Sequence, residues 1–176
     1  MHMIKKWVLP IAFVGIIFAI DQITKWLTIQ HLFGQPERVV IDGVLSLVYH
    51  ENSGMAWGML QGGRWFFIII TPILLTAMIW YYTTLPKTRI ANILRVFLLI
   101  LFGGALGNFY DRLFRESLIN DTVGVVVDMF AVRFINFPVF NMADVFIVVS
   151  VIALAVLTFF VKDDRPSKKL RFSKNG

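Results

Sequence analysis

Four blocks of roughly twenty apolar residues divide this chain. A block of that length, coiled as an α-helix rising about 1.5 Å per residue, crosses the roughly 30 Å of hydrocarbon in a bilayer. They run from about Trp7 to Leu27, Trp65 to Tyr82, Ile90 to Leu113 and Phe140 to Val161. No water is available in lipid to satisfy backbone N–H and C=O groups, so the segments are expected as helices. The first block is apolar to Ile20 and then carries Asp21, Gln22, Thr24 and Lys25. Its Lys5-Lys6 start resembles a signal-peptide n-region, but the apolar stretch continues into a charged helical pattern without a clear small-x-small site, so a retained helix is expected. The second contains Thr71-Pro72, tolerable where neighbouring groups satisfy the freed carbonyl, and ends in Trp80-Tyr81-Tyr82, suited to a membrane interface. Composition agrees: 57% of the 176 residues are hydrophobic and 16% charged, which no ordinary soluble globule matches.

Charge orients the spans. The chain is net +6, but its cations sit between or beyond the apolar blocks, a placement that speaks for membrane surfaces and against nucleic acid. Lys5, Lys6, Lys87, Arg89, Arg95 and the basic tail at 162–176 mark the termini and the middle connection as cytoplasmic, and the net-negative segments at 21–64 and 108–144 as outward-facing. Both termini on one side require an even number of spans. Outside the membrane, Val39-Val40-Ile41 and Val44 to Tyr49, separated by Asp42-Gly43, read as strand, turn, strand. The apolar half-span from Gly54 to Leu60 suits a short surface helix. The expectation is one domain, a membrane all-α bundle of four transmembrane helices with a small extracytoplasmic β-cradle at about 28–64, a short surface helix and a basic cytoplasmic tail.

Ionisable groups at membrane depth are costly, so each is a functional candidate. Asp21 and Lys25 are spaced i, i+4 and can neutralise each other. In the third span, Gly103 and Gly107 form a small-xxx-small packing face, with Asn108, Asp111 and Arg112 one turn further along. Arg112 can pair with Asp111 or reach a substrate carbonyl or lipid phosphate. Asp144 opens the fourth span after Asn141, with no cation following it before Lys162, and Asp128 follows three valines without an adjacent cation. Singly, each fits a cap or a hydrogen-bonded structural group. Together they suggest a dyad, in which mutual repulsion and desolvation keep one carboxyl protonated while its partner acts as base.

Other chemistries fit poorly. The chain has no Cys, which excludes thiolate nucleophiles and disulfides. His2, His31 and His50 are scattered without metal-ligand spacing, and neither a serine-hydrolase elbow nor a phosphate-binding glycine loop occurs, so no metal or cofactor is expected. A small proton or cation transporter is the alternative, with Asp21, Asp111, Asp128 and Asp144 as its path.

Five segments in order, Asp21-Gln22-Ile23-Thr24-Lys25, Asn52 to Gly58, Gly104 to Arg112, Val126-Val127-Asp128 and Phe140 to Asp144, resemble bacterial lipoprotein signal peptidase, or signal peptidase II. The resemblance spans nearly the whole chain and implies a four-helix membrane aspartic peptidase. Such an enzyme removes the signal peptide of prolipoproteins just before a diacylglyceryl-modified cysteine and is blocked by the cyclic peptide globomycin. Carried over by motif, the catalytic pair is Asp128 and Asp144. Asp21, Lys25, Asn52, Gly54, Ala56, Trp57, Asn108, Asp111, Arg112, Asn141 and Ala143 would support the site or bind substrate. The expected partners are these prolipoproteins and membrane lipid, the expected location is the bacterial inner membrane with the site toward the outer face, and the protein is expected as a monomer. The chain departs from the family pattern in an insertion from Phe114 to Thr122, in Met129 where Phe is common, and in Trp57 where many members have Phe. Asp121, inside the insertion, lies in the polar turn Asn120-Asp121-Thr122, so Asp128 is the expected dyad member.

Overall fold

The structure, a computed structural model, describes residues 2–54 and 63–161. It contains α1 (His2–Leu32), β1 (Arg38–Ile41), β2 (Leu45–Asn52), α2 (Arg64–Thr84), α3 (Arg89–Phe114), β3 (Val126–Val132) and α4 (Met142–Val161). All four helices are long and apolar enough to cross a membrane. The sequence-expected surface helix, together with Ala56, Trp57 and the basic tail, lies outside the described residues.

Helix α3 is the hub, packing against α1, α2 and α4. It can be, because its glycines let the neighbours close in. A Cβ on Gly103 would stand 2.7 Å from Ile17, one on Gly104 2.8 Å from the Ala143 carbonyl, and one on Gly107 would collide with the Asp21 carboxylate. The small-residue face is therefore a packing face, as expected. Away from the sheet, Leu85, Ala91, Leu94 and Leu98 form a buried cluster against Tyr81, Tyr82 and Leu157. There Thr88 caps α3 by accepting from the Ala91 amide at 3.2 Å, and Arg95 donates to the Leu85 carbonyl at 2.5 Å, tightening the connection to α2.

The β1–β2 hairpin forms as expected, its turn made by Gly43 at φ +66°, a conformation that favours glycine. It begins later than position 28, because α1 runs to Leu32: residues 28–32 offer no breaker before Gly34, and Thr28 donates into the helix at the Thr24 carbonyl, 2.9 Å. The sequence reading did not anticipate β3, which pairs antiparallel with β2 to give a sheet in the order β1-β2-β3. Phe140 bridges to Phe130 of β3, so α4 starts at Met142 with Asn141 before it.

Candidate active site

The carboxylates of the spans are gathered with Lys25 at the sheet end of the bundle, and Lys25 is the organiser. Fully buried, its ammonium donates to Asp21 Oδ2 at 2.8 Å and Asn108 Oδ1 at 2.9 Å, and lies 2.7 Å from Asp111 Oδ2. An ammonium has three protons to give and here meets three oxygen acceptors. The expected Asp21–Lys25 pair is present and extends to Asp111. Asp21 uses its other oxygen to accept from the Ala143 amide at 3.0 Å, in the first turn of α4, where anions are favoured. Asp111 also accepts from Arg115 at 2.8 Å, and Arg115 donates to Gln22 Oε1 at 2.9 Å.

Two amides carry this frame to the other two carboxylates. Asn108, whose Oδ1 accepts from Lys25, turns its Nδ2 to Asp144 Oδ1 at 2.8 Å. Asn141 donates from Nδ2 to Asp128 Oδ1 at 2.6 Å and, more weakly, to Asn108 Oδ1 at 3.2 Å. It also forms a reciprocal cap with Asp144: the Asn141 amide donates to Asp144 Oδ2 at 3.1 Å and the Asp144 amide to Asn141 Oδ1 at 3.0 Å. That is a capping box, N-cap to N3, built with an Asn and an Asp. It fixes the Asp144 rotamer, and among the described residues no cation is in hydrogen-bond contact with it.

Asp128 sits on β3, opposite β2, and takes its second hydrogen bond from Asn52 Nδ2 at 2.9 Å. Asn52 is held in turn: its own Oδ1 accepts from the Gly54 amide at 3.0 Å, and its carbonyl accepts from Arg112 at 2.8 Å. Burial, and after it the neighbouring Asp144 charge, push the Asp128 carboxyl up to about 7, against the opposing pull of the Asn52 and Asn141 amides. Of the open alternatives for Arg112, the structure does not show pairing with Asp111. Its guanidinium instead donates to the backbone carbonyls of Asn52, Gly54 (2.6 Å) and Gly124 (3.1 Å) and lies 4.8 Å over the Phe67 ring.

Asp128 and Asp144 both face a cavity of about 750 Å³. Its polar rim includes Asn52, Asn108, Arg112 and Asn141; its walls are apolar, with Phe66, Ile70, Leu74 and Met78 of α2 facing Ile147 and Val151 of α4. Helices α2 and α4 make no close backbone approach among the described residues, so the cavity's long sides are separate walls. Asp121 is exposed in the 115–124 loop, whereas Asp128 is buried in the network. The loop itself is latched to β2, where Glu51 accepts from the Leu118 amide at 2.7 Å and from the Ser117 hydroxyl.

The structure thus brings Asp21, Lys25, Asn52, Gly54, Asn108, Asp111, Arg112, Asp128, Asn141, Ala143 and Asp144 into one connected network. Sequence reasoning missed Gln22, Arg115 and Arg64. Arg115 stands at i, i+4 from Asp111, a signal that was available; Arg64 was not findable, because it donates across the fold to the Arg112 and Leu113 carbonyls at 2.8 and 3.0 Å.

Comparison with known proteins agrees with this geometry. Residues 13–160 match the family model described as Signal peptidase (SPase) II. The chain is 39% identical over 145 residues to a lipoprotein signal peptidase from Geobacillus thermodenitrificans (strain NG80-2), spanning 82% of this chain and 85% of the relative. Two solved bacterial membrane enzymes, both determined by the in meso method, superpose with TM-scores of 0.74 and 0.71 at 29% and 31% identity. The first match covers 93% of this chain and 94% of the other, the second 85% and 92%. Agreement of sequence and fold over most of the chain decides the matter: this protein belongs to the signal peptidase II family, which cleaves signal peptides from prolipoproteins.

Proposed function

We propose that Asp128 and Asp144 are the aspartic dyad with which this peptidase cuts a prolipoprotein immediately before its diacylglyceryl-modified cysteine. The observation that carries this reading is the pair itself: two carboxylates joined through Asn141 and Asn108 at the polar rim of an otherwise apolar cavity. Burial and the neighbouring Asp144 charge raise Asp128 to about 7, so it keeps a protonated fraction near neutral pH and is the member suited to act as acid. Asp144 then takes a proton from water as the water oxygen attacks the scissile carbonyl, and Asp128 donates its proton to the carbonyl oxygen, so no free oxyanion forms. As the intermediate collapses, the C–N bond breaks and the proton on Asp144 passes to the leaving amine. The gem-diol oxygen returns its proton to Asp128, restoring the dyad.

The supporting residues divide the labour. Asn108 and Asn141 set the two carboxylates; the Asp21–Lys25–Asp111 triad sets Asn108; and Arg112 sets Asn52 through its carbonyl. Apolar walls on α2 and α4 suit acyl chains and a signal helix arriving sideways from lipid, and globomycin would compete for the same cavity. Lys and Arg placement puts both termini in the cytoplasm and the dyad toward the outer face of the bacterial inner membrane. A conducting role for the carboxylates has no support here, since all of them cluster at one end and the remaining lengths of the spans contain no acid.

The test is gel-shift cleavage by purified protein in lipid. A diacylglyceryl-modified prolipoprotein is expected to be cut and its unmodified form left intact. A folded protein that leaves the modified substrate whole contradicts the proposal.

A further inference from the structure

Threonines inside helices bury their hydroxyls by donating back to the carbonyl one turn earlier, and in lipid there is little alternative. This protein follows the rule at Thr24, Thr28, Thr76, Thr83, Thr84 and Thr158, with donor–acceptor distances of 2.6–2.9 Å. Thr71 departs from it. Its hydroxyl has no hydrogen-bond partner among the described residues, although it sits half-buried in the second span. The residue after it, Pro72, has no N–H to give the Ile68 carbonyl, so this stretch of α2 carries an unused donor beside an undersatisfied acceptor.

The place matters as much as the vacancy. Thr71 lines the same cavity as the dyad, on the α2 wall, among Phe67, Ile70 and Leu74, and it is the polar side chain that α2 contributes there. It stands seven positions beyond Arg64, which is anchored to the end of α3, so it lies about 10 Å further into the bundle. An unpaired hydroxyl on an apolar wall is a donor waiting for an acceptor that arrives with the ligand.

We infer that Thr71 is a specificity-determining residue whose hydroxyl donates a hydrogen bond to a carbonyl oxygen of the bound substrate. Two parts of a diacylglyceryl prolipoprotein supply that chemistry at this depth: an ester carbonyl of the lipid, or a backbone carbonyl of the signal peptide. The inference rests on the cavity being the peptidase site proposed above, and it adds a contact remote from the reacting bond. Such a contact acts mainly on binding, so its removal moves KM more than kcat.

The experiment compares full-length wild type with Thr71→Val, Thr71→Ala and Thr71→Ser on two synthetic substrates of one peptide sequence. One carries ester-linked chains on its cysteine and the other ether-linked chains, which lack the carbonyls. Val and Ala are expected to lower kcat/KM on the ester substrate roughly fivefold, the worth of one neutral hydrogen bond, with most of the change in KM. Ser is expected to stay near wild type. A Val penalty that disappears on the ether substrate assigns the ester carbonyl; a penalty equal on both assigns the peptide carbonyl; both support the inference. It is overturned if Val and Ala cut both substrates as wild type does, or if Ser behaves like Val. Should wild type cut neither substrate, the peptidase reading of the cavity fails, and this inference falls with it.

Discussion

Asp128 is buried beside Asp144, and its burial can be read out by pH. Asp128 has an ordinary value of 3.8 and is raised to about 7 in the fold. Between those values the folded state binds more protons than the unfolded chain, so stability falls as pH rises from about 4 to about 7 and stays at the lower level beyond. Asp128→Asn removes this dependence, and thermal unfolding in detergent at about pH 5 and about pH 8 is expected to show the variant gaining on wild type at the higher pH. The rest of the network is less forgiving. Lys25→Met strands Asp21 and Asp111 as buried carboxylates facing each other without their shared cation, a change worth about 3–5 kcal/mol, and is expected to abolish the folded peak in size-exclusion chromatography. Gly107→Ala drives a methyl group into the Asp21 carboxylate and is expected to cost about 1–3 kcal/mol of stability in the same unfolding assay. Most of these residues were legible in the sequence because lone charges in apolar surroundings stand out. Gln22 and Arg64 were not: apart from the bond from Gln22 to its neighbour Asp21, the hydrogen-bond partners on α3 lie 85 or more and 48 or more residues away, and no local pattern links them.

Among the elements, the four helices and the β1–β2 hairpin were legible because block length and β-branched runs around Asp42-Gly43 are local signals. Strand β3 was not. Val125, Val126, Val127 and Met129 are all buried, so the segment shows none of the alternation that marks a half-exposed strand, and its pairing partner β2 lies more than seventy residues earlier. That strand nevertheless carries Asp128, a member of the proposed dyad. Two arginines tie the segments beside it to α3 from opposite directions. Arg112 reaches from α3 to the carbonyls of Asn52, Gly54 and Gly124, while Arg64 reaches from α2 to the last carbonyls of α3. Gly124, at φ +94°, leaves the space in which the two cross: a Cβ there would stand 2.5 Å from Arg64 Cδ. Arg64→Ala leaves the Arg112 and Leu113 carbonyls short of a donor at a helix end. It is expected to lower stability by about 1–3 kcal/mol and to depress kcat more than KM, because Asn52 loosens behind Asp128. Steady-state kinetics beside thermal unfolding checks both parts.

In the molecule as a whole, the proposed topology would put water-dependent chemistry where water and lipid meet. The sheet and all span carboxylates share one end, and the other end is closed by the apolar cluster around Leu94. A topology with that end outward makes a simple forecast, and the absence of native cysteines makes it clean to test. A single cysteine placed at Asp42 is expected to react with a membrane-impermeant maleimide in intact cells, and one at Lys87 only after lysis; the reverse pattern would invert the assignment of sides. Whether a dyad of Asp128 and Asp144 performs the cleavage is decided by one comparison. Wild type, Asp128→Asn, Asp144→Asn and Asp121→Asn, each shown to be folded, are incubated with a diacylglyceryl-modified prolipoprotein, and the initial rate of product formation is measured by gel shift. Asp128→Asn and Asp144→Asn are expected to lose about a thousandfold or more while Asp121→Asn cuts like wild type. Near-normal cleavage by either dyad variant, or loss confined to Asp121→Asn, would contradict it.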